Sequence, residues 1–239
     1  MSVFTDGLDL SIKVIKVLEL ILIGSVSMSS KFSDELLETS RDIWRRFLPH
    51  RFLREVADNT ISREAFAKWL INDYYFVKNG IRFMALILAK TPDELLSFFA
   101  ESIYYISREL DMFERKAGEL GIDLRSESLI DLRAKAYVNY LLTIASIGGF
   151  LENLAALYCE EKAYLEAWSW VRENLRGESP HREFINHWSS KEFREYVDKI
   201  EKLLNEYAER HGEYEKRRAR EVFLEVSKYE LLFWDIAYT

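Results

Sequence analysis

Cysteine is almost absent: Cys159 is alone in 239 residues, so no disulfide can close within the chain. No metal site built on several thiolates can form either, and a reducing, cytoplasmic compartment is the expected setting. Proline is scarce at three residues, and glycine numbers nine. A sandwich or barrel of this length needs many more turns, so the shortage selects long helices. The four histidines are His50, His181, His187 and His211; only His181 follows a glutamate by three positions, and that Glu178-Ser179-Pro180-His181 stretch reads as a turn, not a helix. A di-iron bundle needs Glu-x-x-His pairs on facing helices, so that class drops out. His50 is read as a helix-end residue rather than a haem ligand. GxGxxG, the phosphate-binding loop and the GxSxG elbow are all missing, which removes dinucleotide, phosphate-cradle and serine-nucleophile readings.

No basic stripe exists either. The formal charge is −7, with acids and bases finely mixed. The densest basic run, Lys216-Arg217-Arg218-Ala219-Arg220, lies among Glu213, Glu215 and Glu221 and reads as a solvated helix face. Nucleic acid is therefore not an expected partner. Long apolar runs are lacking too. Lys16 and Glu19 interrupt residues 14–28, and Leu20 to Met28 falls short of the roughly 20 residues a bilayer requires. No membrane association is expected. The region lacks the basic start and cleavage site of a secretory leader, so residues 1–30 are read as a helical N-terminal extension. A start at Met28 stays open.

What is present is the material of a helical core: 49% of residues are hydrophobic and 31% charged. Residues 31–239 read as one all-α domain. Ser33-Asp34-Glu35 supplies a cap and early acids for a helix that Pro49-His50 ends. Ser62 opens a long helix with Phe66, Trp69, Leu70, Tyr74, Val77 and Ile81 at helical spacing, and Asn79-Gly80 marks a candidate kink. Thr91-Pro92 predicts the next start, with Thr as cap and Pro in the first turn, and Gly121 its end. Further helices are expected over about 127–147, from Gly149 through Val171, over 182–188, from Ser190 to His211, and from Tyr214 to Tyr238.

Acids recur inside aromatic, apolar stretches, where burial costs free energy unless each is paired or hydrogen-bonded. The stretches are Asn72-Asp73-Tyr74-Tyr75-Phe76, Tyr137-Val138-Asn139-Tyr140, Gly149 to Tyr164, and Tyr229-Glu230-Leu231-Leu232-Phe233-Trp234. Glu160 and Tyr164 are four apart and share a helix face. Together these segments predict a pocket with aromatic walls and a carboxylate–phenol floor. Such a site suits a small, flat, nitrogen-rich ligand. Buried carboxyls in different environments can divide acid and base roles.

In order and spacing the segments resemble the TenA (thiaminase II) family over about residues 33–239. The family's early motif is matched by His50-Arg51-Phe52, Phe66 and Asn72-Asp73-Tyr74-Tyr75. Its "G.Y.E.LAAL" motif is matched by Gly149-Phe150-Leu151-Glu152-Asn153-Leu154-Ala155-Ala156-Leu157, and its closing motif by Tyr229-Glu230 with Phe233-Trp234 and Ala237. The resemblance implies a haem-oxygenase-like, multi-helix up-and-down bundle and a homotetramer. It implies that Asp73 holds the amino edge of a pyrimidine, that Tyr137, Tyr164, Phe76 and Trp188 line the pocket, and that Glu230 handles protons. Glu152 is implied to be structural. Where the thiaminase branch has a nucleophilic cysteine, four residues before the pocket tyrosine, this chain has Glu160. Cys159 is one position off and should face away.

The implied activity is hydrolysis of a C–N bond in an aminopyrimidine breakdown product of thiamin, by deamination or deformylation. Glu160 and Glu230 are the catalytic pair. A hydrolytic step run by general acid and base calls for neither metal nor organic cofactor. Alternatives are a non-catalytic pyrimidine-binding protein, a regulatory scaffold, and an oxidase on the same fold resembling pyrroloquinoline-quinone synthase. The aromatics Trp168, Trp170, Phe184 and Trp188 are candidates for a subunit interface or for a second core layer.

Overall fold

A computed structural model describes residues 31–239. The expected helix within residues 1–30 lies outside the described residues. Ten α-helices and three short 3-10 turns make up the regular structure, with no strand among the described residues. They are α1 (Phe32–Thr39), α2 (Arg41–Phe47), α3 (Arg51–Ala57), α4 (Arg63–Leu88), α5 (Leu96–Leu120), α6 (Leu132–Ile147), α7 (Phe150–Asn174), α8 (Arg182–Trp188), α9 (Lys191–Glu209) and α10 (Glu213–Trp234).

Helix α7 is the centre of the bundle. It packs on α10, α9, α8, α3 and α6. Its apolar residues face all round, and Leu154 to Cys159 is an unbroken buried run. A helix apolar on every side belongs inside a larger core. By contrast α9 buries one stripe, Val197, Ile200, Leu203, Leu204 and Tyr207, and turns its charges outward. Helix α4 packs between α5 and α6.

Several local expectations hold. The Ser62 hydroxyl accepts from the Ala65 amide at 3.1 Å and caps α4. Gly121 ends α5 at φ 63°, the left-handed conformation that costs glycine little. Glu152 takes the Gly149 amide at 2.6 Å and pairs with Arg218 at 3.1 Å, so it organises the start of α7.

Others are corrected. Ser33 does not cap α1: its hydroxyl donates to Glu201 at 3.1 Å and its amide to Asn205 at 2.9 Å, tying α1 to α9 instead. The first described helix breaks at Ser40, whose hydroxyl turns back to the Leu36 carbonyl at 2.9 Å. His50 starts a helix rather than merely ending one, because its Nδ1 accepts from the Phe52 amide at 3.1 Å. Thr91 does not cap α5. Its hydroxyl donates to the Ile87 carbonyl at 2.9 Å and closes α4, while Pro92 leads a 3-10 turn over Asp93–Leu95. For Ser33, Ser40 and Thr91 a tertiary or backward hydrogen bond takes the hydroxyl, which local sequence does not report. Helix α6 begins at Leu132, later than expected, behind an Asp131 cap that accepts from the Arg133 amide at 2.8 Å. Helix α4 runs unbroken through Asn79-Gly80.

Trp168 and Phe184 are fully enclosed and serve the core, and Trp188 is buried at its edge. They stack with Phe52, Phe66, Trp69 and Trp234 in one aromatic cluster, with ring centroids such as Trp69–Trp168 at 5.4 Å and Trp168–Trp188 at 5.2 Å. Offset and edge-on contacts of this kind add to the burial of large flat surfaces. No described helix is long and apolar enough to cross a membrane.

Candidate active site

The cluster forms one wall behind a small cavity of about 60 Å³. Asp73, Phe76, Glu160, Tyr164 and Trp188 line it, together with Glu109 and Glu161. Helix α4 brings Asp73 and Phe76, one turn apart, and α7 brings Glu160 and Tyr164 on one face. Trp188, at the end of α8, sets its ring edge-on to Tyr164 with centroids 5.3 Å apart.

Two of the predicted residues lie one layer back. Tyr137 of α6 and Glu230 of α10 do not line the cavity. They meet behind Phe76, whose ring is 4.8 Å from that of Tyr137. The sequence places all seven in one pocket; the structure divides them into a lining and a support.

Hydrogen bonding is repeated in the two layers. The Tyr164 hydroxyl donates to Asp73 Oδ1. The Tyr137 hydroxyl donates to Glu230 Oε1 at 2.5 Å. In both carboxyls the second oxygen, Asp73 Oδ2 and Glu230 Oε2, is buried and has no partner. Buried polar atoms are nearly always satisfied, and the exceptions need an explanation. Asp73 Oδ2 is thus open at the cavity wall, and Glu230 Oε2 is open in the layer behind it.

Electrostatics favour protonated acids here. Burial holds Asp73 well above the usual carboxylate range, against the Tyr164 hydrogen bond that favours its charged form. Burial raises Glu230 to about 8, again opposed by a phenol, Tyr137. Glu160 is raised well above normal by burial, then by the charges of Glu161 and Glu230. Glu161 is lifted to about 8 by burial and the charge of Glu109. Like-charged acids in one dry site share protons, so acid and base coexist near neutrality.

Cys159 does face away. Its sulfur lies 3.2 Å from the Ser227 hydroxyl and 3.6 Å from the Phe223 carbonyl, on the α10 side of α7. Burial pushes its thiol up, which suppresses the thiolate a nucleophile needs. Asn72 is structural: its side chain donates to Leu129 at 3.2 Å and accepts from Asp131 at 2.8 Å, pinning the loop before α6.

Sequence reasoning missed Glu109 and Glu161. Both line the cavity, and both also line a wider groove of about 570 Å³ between α5 and α9. Glu109 sits in a charge-rich run of α5 that reads as solvated surface, and no local signal marks it. Glu161 had one available signal, an acid directly beside Glu160 on a helix otherwise buried all round.

The all-helical bundle has the haem-oxygenase-like fold. The structure superposes on haem oxygenase 2 from Chlamydomonas reinhardtii with a TM-score of 0.62 at 15% identity, covering 86% of this chain and 97% of that one. The TENA/THI-4/PQQC family model matches residues 37–239, and the chain belongs to that family. It is similar to the aminopyrimidine aminohydrolase of Halalkalibacterium halodurans, 28% identical over 87% of this chain and 95% of that one. The aminopyrimidine aminohydrolase of Helicobacter pylori is 29% identical over 86% of this chain and 98% of its own. A TenA homologue from Pyrococcus furiosus is 70% identical, with a TM-score of 0.85, over 87% of this chain and all of its own.

Proposed function

We propose that this protein is an aminopyrimidine aminohydrolase of thiamin salvage that works with carboxylates instead of a thiol nucleophile. The observation that carries the reading is the pair of buried carboxyls, Asp73 and Glu230, each bonded to a phenol through one oxygen and open at the other. The names of the bacterial relatives support the same reaction class.

Asp73 receives the exocyclic amino group of the pyrimidine on its open oxygen. Phe76 and Trp188 flank the ring. Glu160 stands where the family resemblance puts the nucleophile, and it shares the proton traffic with Glu230 in the layer behind, whose charge acts on it. In the hydrolytic step the ionised member of the pair takes a proton from water. The water oxygen bonds to the carbon that carries the amine, and the C–N bond breaks. The protonated member delivers a proton to the departing nitrogen, which leaves as ammonia.

The test is ammonia release from 4-amino-5-aminomethyl-2-methylpyrimidine, run beside its N-formyl derivative and thiamin. Release from the aminopyrimidine is expected, with thiamin turned over weakly at most. Glu160→Ala and Glu230→Gln should each lose at least about a hundredfold in kcat, the lower end of what a positioned acid–base group contributes. Full turnover in either variant sinks the assignment. Tight pyrimidine binding with no turnover on any of the three would instead make this a binding protein.

A further inference from the structure

The wide groove beside the cavity is not used by that reaction. Its walls are aromatic and acidic: Phe98, Tyr105, Phe193 and Tyr196, with Glu101, Glu192 and Glu195 around them. Neither lysine nor arginine lines it, and His187 is its sole basic lining residue. His187 is already committed to Glu109 at 2.5 Å, and Glu195 to Lys191 at 3.1 Å. Glu101, Glu161 and Glu192 have no ion pair among the described residues. The Tyr196 hydroxyl is buried on the groove wall beside Glu161 and Ser102. Lys199 rests its ammonium 4.2 Å above the Phe98 ring, so this surface already holds one cation over an aromatic face.

Glu109, Glu161, Ile106 and Trp188 line the groove and the cavity alike. A ligand whose ring fills the cavity therefore has one continuous path outward, between the side chains of Glu109 and Glu161, toward the carboxylates of Glu101 and Glu192. Carboxylates with aromatic walls select an alkylammonium, by charge and by cation–π attraction, and repel an anion.

We propose that this groove is a second subsite, which takes a cationic alkylammonium arm carried on the 5-aminomethyl nitrogen of an aminopyrimidine. The proposal rests on the pyrimidine reading of the cavity. It widens the substrate class from the free aminomethyl compound to N-alkylated forms with a positively charged tail. The amine released is then a diamine rather than ammonia. Atoms balance as before: water supplies the hydroxyl of the new C–O bond, and its other proton passes through the carboxyl pair to the departing nitrogen.

Three ligands decide it, each the aminomethylpyrimidine extended at nitrogen by a propyl chain. One chain ends in trimethylammonium, one in tert-butyl, one in carboxylate. Calorimetric titration of the full-length wild type should give about tenfold tighter binding for the cation than for its neutral isostere, with the anion weakest. Added salt should narrow the gap. The double variant Glu101→Gln, Glu192→Gln should erase the preference while leaving affinity for the unextended compound unchanged. Equal affinity of cation and isostere in the wild type overturns the subsite and leaves the cavity reading intact. So does a preference that survives in the double variant. Failure of every pyrimidine to bind, the unextended one included, removes the cavity reading and the subsite with it.

Discussion

Glu230 carries the sharpest consequence at the level of single residues. Burial places its titration at about 8, and the Tyr137 phenol pulls the other way by stabilising the charged form. Removing that phenol in Tyr137→Phe takes away a bond to the ionised carboxylate, so Glu230 must titrate still higher. The limb of the kcat–pH profile set by Glu230, near pH 8 in the wild type, is expected to move upward in the variant. A limb that stays put or moves down would show that Tyr137 does not act on Glu230. Asp73→Asn should chiefly weaken substrate binding. A hydrogen bond to a charged or strongly polar group contributes about 1.5–3 kcal/mol, so KM should rise by roughly ten- to a hundredfold with a smaller change in kcat. The phenol–carboxylate partnership also explains why tyrosines at 137 and 164 accompany acids at 230 and 73 at all. Without the phenols, four carboxyl oxygens rather than two would be buried and open.

At the scale of elements, the joint between α6 and α7 is the most exacting point. Gly148 lies there, and a Cβ on it would sit 2.7 Å from the Ile144 carbonyl oxygen, a backbone atom with little room to yield. Helix α6 carries Tyr137 and α7 carries Glu160 and Tyr164, so the joint sets the distance between support and lining. Gly148→Ala should destabilise by on the order of 1–3 kcal/mol in urea unfolding, the usual cost of overpacking. An unchanged midpoint would mean that the turn relaxes freely. Ser62→Ala tests the other long helix. Losing its cap on the Ala65 amide should cost about 1 kcal/mol without touching substrate affinity. The caps that held and those that failed differ in one respect. Ser62 has only its own helix to bond, whereas Ser33 meets Glu201 from a helix far along the chain.

For the whole molecule, the acid cluster makes stability depend on pH with a definite sign. Glu230 binds its proton in the folded state up to about 8, against an ordinary value of 4.5 when unfolded. Below about 4.5 both states hold the proton and the folded state loses nothing. Between about 4.5 and 8 the unfolded state has released it, so folding stability falls as pH rises, by at most about 1.4 kcal/mol per pH unit for one group. Glu161, also raised to about 8, adds in the same direction. The unfolding free energy should therefore decline from pH 5 to pH 8, and Glu230→Gln should flatten that slope while raising stability at pH 8. A slope of the opposite sign, or one untouched by the substitution, would contradict the protonated cluster.

Composition and periodicity were enough for the helical class and the long helices, because a helix announces itself through spacing within its own sequence. The Asp73, Glu160 and Glu230 acids were legible for the same kind of reason. Each is a charged residue inside an apolar stretch, a local anomaly that demands a buried partner. Cys159 could be set aside from helix geometry alone, one residue and about 100° from Glu160. Which partner each acid meets was not local. The pairing of Tyr164 with Asp73 spans 91 positions and that of Tyr137 with Glu230 spans 93, and only packing of α4, α6, α7 and α10 around the aromatic cluster brings them together. The layering of the site, with Tyr137 and Glu230 behind Phe76, was likewise decided by that packing. So was the groove, whose walls come from the outward faces of α5 and α9. Glutamates there are indistinguishable in sequence from those facing bulk water, since exposure is a property of the neighbouring helix and not of the residue itself.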